Sequence, residues 1–232
     1  MLPVLMLTLV VFAGAQSLSA DEKAPRVGLV LGGGGARGIA HIGVLKVLEE
    51  MRIPISCIAG TSMGSLVGGI YASGMPLDEM TERVEAIGWD DLFSDDPPRS
   101  EKPFLAKRDD YENLFDFELG QRGATILLPP GSTGGYKFEF LLREMMAPAG
   151  NFTQWDFDKL PIPLRVMATD IEHGEIKQFT SGDLVKAMRA SMSVPGAIAP
   201  VDIDGTLYVD GGLLQNLPVQ AARDACADVV IA

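Results

Sequence analysis

The pentapeptide Gly60-Thr61-Ser62-Met63-Gly64 constrains this chain more than any other stretch. The apolar run Ile55-Ser56-Cys57-Ile58-Ala59 leads into it, and Ser65-Leu66-Val67-Gly68-Gly69-Ile70-Tyr71 follows with helical patterning. That order predicts a strand, a turn too tight for side chains, and a helix. A G-x-S-x-G elbow holds its serine at the apex of such a turn, with the hydroxyl exposed and a helix N-terminus behind it. The glycines follow from sterics, because a Cβ at Gly60 or Gly64 would strike the neighbouring strand and helix. Ser62 is therefore a candidate nucleophile.

The rest of the chain extends the pattern. Residues 26–31 form a short apolar run, followed by Gly32-Gly33-Gly34-Gly35-Ala36-Arg37-Gly38 and a helical stretch with Ile42, Leu45, Val47 and Leu48 apolar. After the elbow helix, Gly74-Met75-Pro76 is a stop signal and residues 77–87 predict another helix. Strand, loop, helix, strand, elbow and helix in this order imply parallel strands joined by helical crossovers, an α/β fold. Residues 90–135 break the rhythm with mixed charge, prolines and the alternating Phe115-Asp116-Phe117-Glu118-Leu119, and are expected to be an insertion of short strands and loops near the site mouth. Beyond it, residues 136–146 predict a helix, 164–168 and 175–179 strands around Glu172-His173-Gly174, and 183–190 a helix. Residues 201–208 predict a hairpin turning at Asp204-Gly205, then come a helix from Pro218 and a strand at 228–232.

With 232 residues, 47% of them hydrophobic, the chain can bury one sizeable domain, expected over residues 24–232. A formal charge of −12 leaves no basic stripe to neutralise phosphates, which argues against nucleic acid, and it disfavours purely electrostatic docking on an anionic membrane. Residues 1–20 look like a secretory leader: apolar from Leu2 to Ala13, too short to span a bilayer, then small residues before Asp21-Glu22-Lys23. Export to the periplasm, cell envelope or outer membrane is the corresponding expectation. The chain stops inside the predicted last strand, as a fragment of a longer protein would. Cys57 and Cys226 show no metal spacing and read as small buried hydrophobes; export would permit them to pair.

Gly33-x-Gly35-x-x-Gly38 satisfies a dinucleotide fingerprint, but the second strand ends in Ala59-Gly60-Thr61-Ser62, with no acidic residue to hold a ribose, and no Walker lysine follows. The loop amides are better suited to an oxyanion hole, where preorganised N–H groups meet the charge that develops when a serine attacks a carbonyl. Arg37 either fixes that loop, leans toward an anionic head group, or clamps backbone carbonyls.

A nucleophilic serine needs a base, and the chain has only two histidines. His41 falls one turn into the helix after the glycine loop and reads as a packing residue; His173 falls in a hairpin turn. The other candidate is Asp210 in Val209-Asp210-Gly211-Gly212, which a strand delivers and two glycines let the chain pass closely. An aspartate within hydrogen-bond reach in a dry site is basic enough to deprotonate serine, although Asp-Gly is also a common turn.

The glycine loop, the Ser62 elbow and the Asp210-Gly211-Gly212 motif, in that order, resemble the patatin-like phospholipases. The likeness runs through Ala40-His41-Ile42-Gly43-Val44-Leu45, Ala190-Ser191-Met192-Ser193-Val194-Pro195-Gly196 and Asn216-Leu217-Pro218, and covers roughly residues 26–232. The resemblance implies a three-layer α/β/α domain with a mainly parallel central sheet, and a Ser-Asp dyad without histidine. Ser62 would be the nucleophile, Asp210 its base, and Gly33, Gly34, Gly35 and Arg37 the oxyanion loop, with Gly38, Gly60, Gly64, Gly211 and Gly212 supporting the turns. It implies a lipid or phospholipid ester at a membrane surface as substrate, and neither cofactor nor metal. The insertion is similar to that of bacterial exported members, which often continue into an outer-membrane β-barrel. Oligomeric state stays open. The competing expectations are a nucleotide- or phosphate-binding module and an acyltransferase using the same serine. Met75, Met80, Met145, Met146, Met188 and Met192 are candidates for an acyl groove or for core gap-filling, and Ser193-Val194-Pro195-Gly196 for one wall of the site.

Overall fold

A computed structural model describes residues 24–92, 120–122, 125–127, 131–150 and 155–232. The expected leader and the Phe115–Leu119 alternation lie outside these residues. Of the expected insertion, the described parts are a helical turn at Trp89–Leu92, a hairpin of Gly120–Arg122 with Thr125–Leu127, and a strand at Gly131–Thr133 that pairs with Gly196–Ile198.

Among the described residues, seven strands form the central sheet: β1 (Val27–Leu31), β2 (Ile55–Thr61), β3 (Leu164–Asp170), β4 (Glu175–Phe179), β5 (Val201–Ile203), β6 (Thr206–Asp210) and β7 (Val229–Ile231). Their order is β5-β6-β3-β2-β1-β7, with β4 on the other edge of β3. β7, β1, β2 and β3 run parallel, as the helical crossovers predict, while β4 and β6 are antiparallel to β3. The β5–β6 hairpin turns at Asp204 and Gly205, both at positive φ, as expected for an Asp-Gly turn between strands.

Among the described residues, and besides the helical turn at Trp89–Leu92, six helices pack on the sheet: α1 (Ala40–Glu50), α2 (Met63–Ala72), α3 (Leu77–Glu85), α4 (Tyr136–Met146), α5 (Leu184–Ser191) and α6 (Val219–Ala225). The strand period of two assigns each face its residues. Leu29, Leu31, Ile58, Leu164 and Val166 join one cluster with the apolar faces of α1 to α5. Val30, Cys57, Ala59 and Met167 point the other way, toward Ala221 and Ala222 of α6. The domain is thus a three-layer α/β/α fold with unequal outer layers. Cys57 and Cys226 form a disulfide on the thin side, with Cα atoms 6.1 Å apart. The expectation of two inert hydrophobes is corrected by strand register: β2 turns Cys57 toward the end of α6, where Cys226 arrives.

Met80, Met145, Met146 and Met188 are buried in the large cluster, and Met75 packs against it. The methionine pattern therefore reflects core packing on the thick face, and only Met192 of that set reaches the cleft described next.

Candidate active site

Sheet register brings Ser62 and Asp210 together. Thr61 at the end of β2 pairs with Met167 of β3, and Asp210 at the end of β6 pairs with the next residue, Ala168. β4 occupies the opposite edge of β3 at these positions, so β2 and β6 share one edge. One runs parallel to β3 and the other antiparallel, so their C-terminal ends meet head to head. Ser62 Oγ donates to Asp210 Oδ2 at 2.6 Å, and the two residues are only 6% and 7% exposed.

The elbow has the strain its motif predicts. Ser62 sits at φ 53°, ψ −128°, a region that non-glycine residues rarely occupy, directly before α2. A Cβ on Gly60 would lie 2.6 Å from the Gly64 carbonyl oxygen, and one on Gly64 would enter the Leu31 backbone. Gly38 lets the glycine loop pass Met63, and Gly211 lets the chain pass the Met167 carbonyl. Among the described residues, the Ser62 amide donates to Ser191 Oγ at 2.8 Å, and that hydroxyl donates to the Met167 carbonyl. The Ser62 carbonyl accepts from the Ser65 amide at 2.9 Å and the Ser65 hydroxyl at 2.7 Å.

Asp210 is held just as closely. Its amide donates to the Ser193 carbonyl at 2.9 Å, its carbonyl accepts from Thr169 Oγ1 at 3.0 Å, and its Oδ1 accepts from the Gly212 amide at 2.7 Å. Burial pushes the Asp210 carboxyl above the ordinary aspartate value, against the opposing hydrogen bonds from Ser62 and Gly212. A carboxylate made more basic this way is suited to accepting a serine proton.

The members of the glycine loop divide by role. The Gly33 amide is engaged, donating to Asn216 Oδ1 at 3.1 Å, while Asn216 Nδ2 reaches back to the Gly33 carbonyl at 3.4 Å. Gly34 and Gly35 are exposed and line the cleft beside Ser62, at the start of the short 3-10 turn Gly35–Ile39, where leading amides have no intrahelical acceptor. Arg37 is exposed and is not among the cleft-lining residues. His41 Nε2 bonds the Gly32 carbonyl at 2.9 Å, and His173 Nδ1 bonds Asp170 at 2.9 Å in an exposed turn. Neither histidine hydrogen-bonds to Ser62.

Above the pair opens a cleft of about 550 Å³, lined by Met63, Trp89, Met192, Val194, Ile198 and Leu213 together with the glycine loop. Val194 and Pro195 form part of its wall, as expected. Among the described lining residues the only charged side chain is Asp210. Ser191 and Asn216, whose contacts organise the site, belong to no catalytic motif; the one sign of them was that both fall inside the stretches that carry the family likeness.

The chain belongs to the patatin-like phospholipase family, whose model matches residues 29–223. It is 36% identical over 216 residues to an NTE family protein of Mycobacterium tuberculosis, covering 91% of this chain and 49% of that one. It is 34% identical over 206 residues to lysophospholipase nte1 of Aspergillus fumigatus, covering 89% of this chain and 12% of that protein. The chain thus spans about half the length of its mycobacterial relative. VipD from Legionella pneumophila shares the fold, with a TM-score of 0.50 at 18% identity over 84% of this chain and 47% of that one.

Proposed function

We propose that this domain is a serine lipid acyl hydrolase acting through a Ser62–Asp210 dyad and an acyl-enzyme. The observation that carries the proposal is the 2.6 Å contact between Ser62 Oγ and Asp210 Oδ2, buried at the floor of an apolar cleft. Membership of the family and likeness to a named lysophospholipase support a fatty-acyl ester as substrate. Ser62 Oγ attacks the ester carbonyl carbon as its proton passes to Asp210 Oδ2. The oxyanion develops beside the Gly34 and Gly35 amides and the N-terminus of α2. The carbonyl–alkoxy bond breaks, the leaving alcohol takes the proton from Asp210, and the acyl group stays on Ser62. Water then attacks that ester, giving its proton to Asp210; the fatty acid departs and Ser62 recovers its hydrogen. Export from the reducing cytosol is part of the same proposal, supported by the Cys57–Cys226 disulfide.

Hydrolysis of a lysophospholipid by variants tests the base. Asp210→Asn is expected to lose roughly 10³-fold or more in kcat, whereas His41→Gln with His173→Gln retains most of it. Because the Asp210 carboxyl is raised and must be ionised to accept the proton, activity falls on the acid side at a pH above the ordinary aspartate value of 3.8. A double-histidine variant that loses activity while remaining folded, or that shifts this acid limb, would replace the dyad by a histidine mechanism.

A further inference from the structure

Apolar side chains that the dyad chemistry does not use are exposed at and beside the cleft. Val194 and Leu213 line the cleft, yet are also 45% and 56% exposed. Leu214 and Leu217, in the same loop after Asp210, are 53% and 49% exposed. Leu217 lies against the glycine loop, since a Cβ on Gly32 would be 3.3 Å from its Cδ1. Single exposed leucines are ordinary; three within residues 213–217, in a loop that reaches both the cleft and the glycine loop, mark a contact surface.

The distribution of charge picks out the same rim. The chain carries −12 overall, but residues 27–36, 53–77, 190–201 and 211–222 contain no Asp, Glu, Lys or Arg. These segments supply the glycine loop, the elbow, the Val194 wall and the leucine loop. Where they meet, neither the acidic surplus nor a basic patch is contributed by them.

We infer that this uncharged, leucine-bearing rim is the face by which the domain rests on a lipid surface, with Val194, Leu213, Leu214 and Leu217 entering the apolar boundary. A protein partner seated on the rim would close the mouth above Ser62, whereas a lipid surface covers the leucines and presents an ester to the cleft. In this respect the inference rests on the hydrolase activity proposed above. A chain of charge −12 is repelled by anionic lipid, so the contact is apolar and depends little on salt.

Flotation with neutral phosphatidylcholine vesicles tests this, with Ser62→Ala in every protein so that the lipid is not consumed. Adding Leu214→Glu lowers vesicle partitioning roughly tenfold, and adding Leu217→Glu lowers it further. Binding by the parent persists in about 0.5 M salt. With Ser62 restored, Leu214→Glu hydrolyses a water-soluble short-chain ester at the parental rate but loses hydrolysis of vesicle lipid. Equal flotation of parent and variants overturns the inference, as does binding that needs anionic lipid and vanishes in salt. Self-association of the parent that Leu214→Glu abolishes, without vesicle binding, assigns the rim to a second copy and also overturns it. A parent that floats through its leucines but cleaves neither ester keeps the lipid-binding rim and refutes the hydrolase; one that cleaves the soluble ester without floating does the reverse.

Discussion

The two faces of the central sheet are built to different plans. On one, Leu29, Leu31, Ile58, Leu164 and Val166 pack beneath five helices. On the other, Val30, Cys57, Ala59 and Met167 meet Ala221 and Ala222 of the seven-residue helix α6, and Ala227 just beyond its end. The approach there is so close that a Cβ on Gly28 would sit 2.5 Å from that of Ala227. Small residues bring the layer near but bury little apolar area, and stabilisation scales with that area. The disulfide compensates: it ties β2 to the end of α6 across 169 residues of sequence. The difference shows how the site is held, because each face sends one polar residue to it. Ser191 ends α5 on the thick side and holds the Ser62 amide; Asn216 precedes α6 on the thin side and holds Gly33. Gln215 adds a second thin-side tie, its carbonyl accepting from Thr61 Oγ1 at 3.0 Å.

The largest loss of stability is expected on the thick face. Leu164→Ala, at a fully buried position, should cost about 2–5 kcal/mol in chemical denaturation. Cys226→Ser should cost about 2–4 kcal/mol by releasing a long loop, and should loosen the Asn216 loop, so that activity falls before the fold melts. If Cys226→Ser left both stability and activity unchanged, the thin layer would not depend on its covalent tie. The two positioning residues sharpen the contrast. Ser191→Ala leaves the Ser62 amide and Met167 carbonyl without their buried partner, worth about 1–3 kcal/mol, and should lower kcat about tenfold or more with KM little changed. Asn216→Ala should have the smallest effect, a several-fold loss in kcat at nearly unchanged melting temperature, because Gly33 is partly solvated. Restoration by Asn216→Asp, which keeps an acceptor for the Gly33 amide, would separate positioning from bulk.

The legible parts of this chain were those where backbone geometry leaves few residue choices. The Ser62 elbow, the glycine loop and Asp210-Gly211-Gly212 announce themselves because a Cβ would strike backbone or a neighbouring side chain at Gly60, Gly64, Gly38 and Gly211. The β5–β6 hairpin was legible for a similar reason, since its turn needs positive φ at Asp204 and Gly205. The disulfide was not, because pairing depends on how β2 registers against a helix 169 residues later. Ser191 and Asn216 were hidden because a hydroxyl and an amide acquire their roles only when the strand ends converge. The engagement of the Gly33 amide by Asn216 follows from the same convergence. The methionines follow the commoner of their two readings, since a flexible apolar side chain fills a core gap at least as readily as it lines a groove, and of the six only Met192 lines the cleft.

The central claim is that Ser62 is activated by Asp210, and covalent labelling by a fluorophosphonate tests it most directly. Wild-type protein should take up one adduct, located by peptide mass spectrometry on Ser62, and Ser62→Ala should take up none. Asp210→Asn should label at least roughly a hundredfold more slowly while keeping the wild-type circular dichroism. Labelling of Asp210→Asn at the wild-type rate, or an adduct on a residue other than Ser62, would contradict the account.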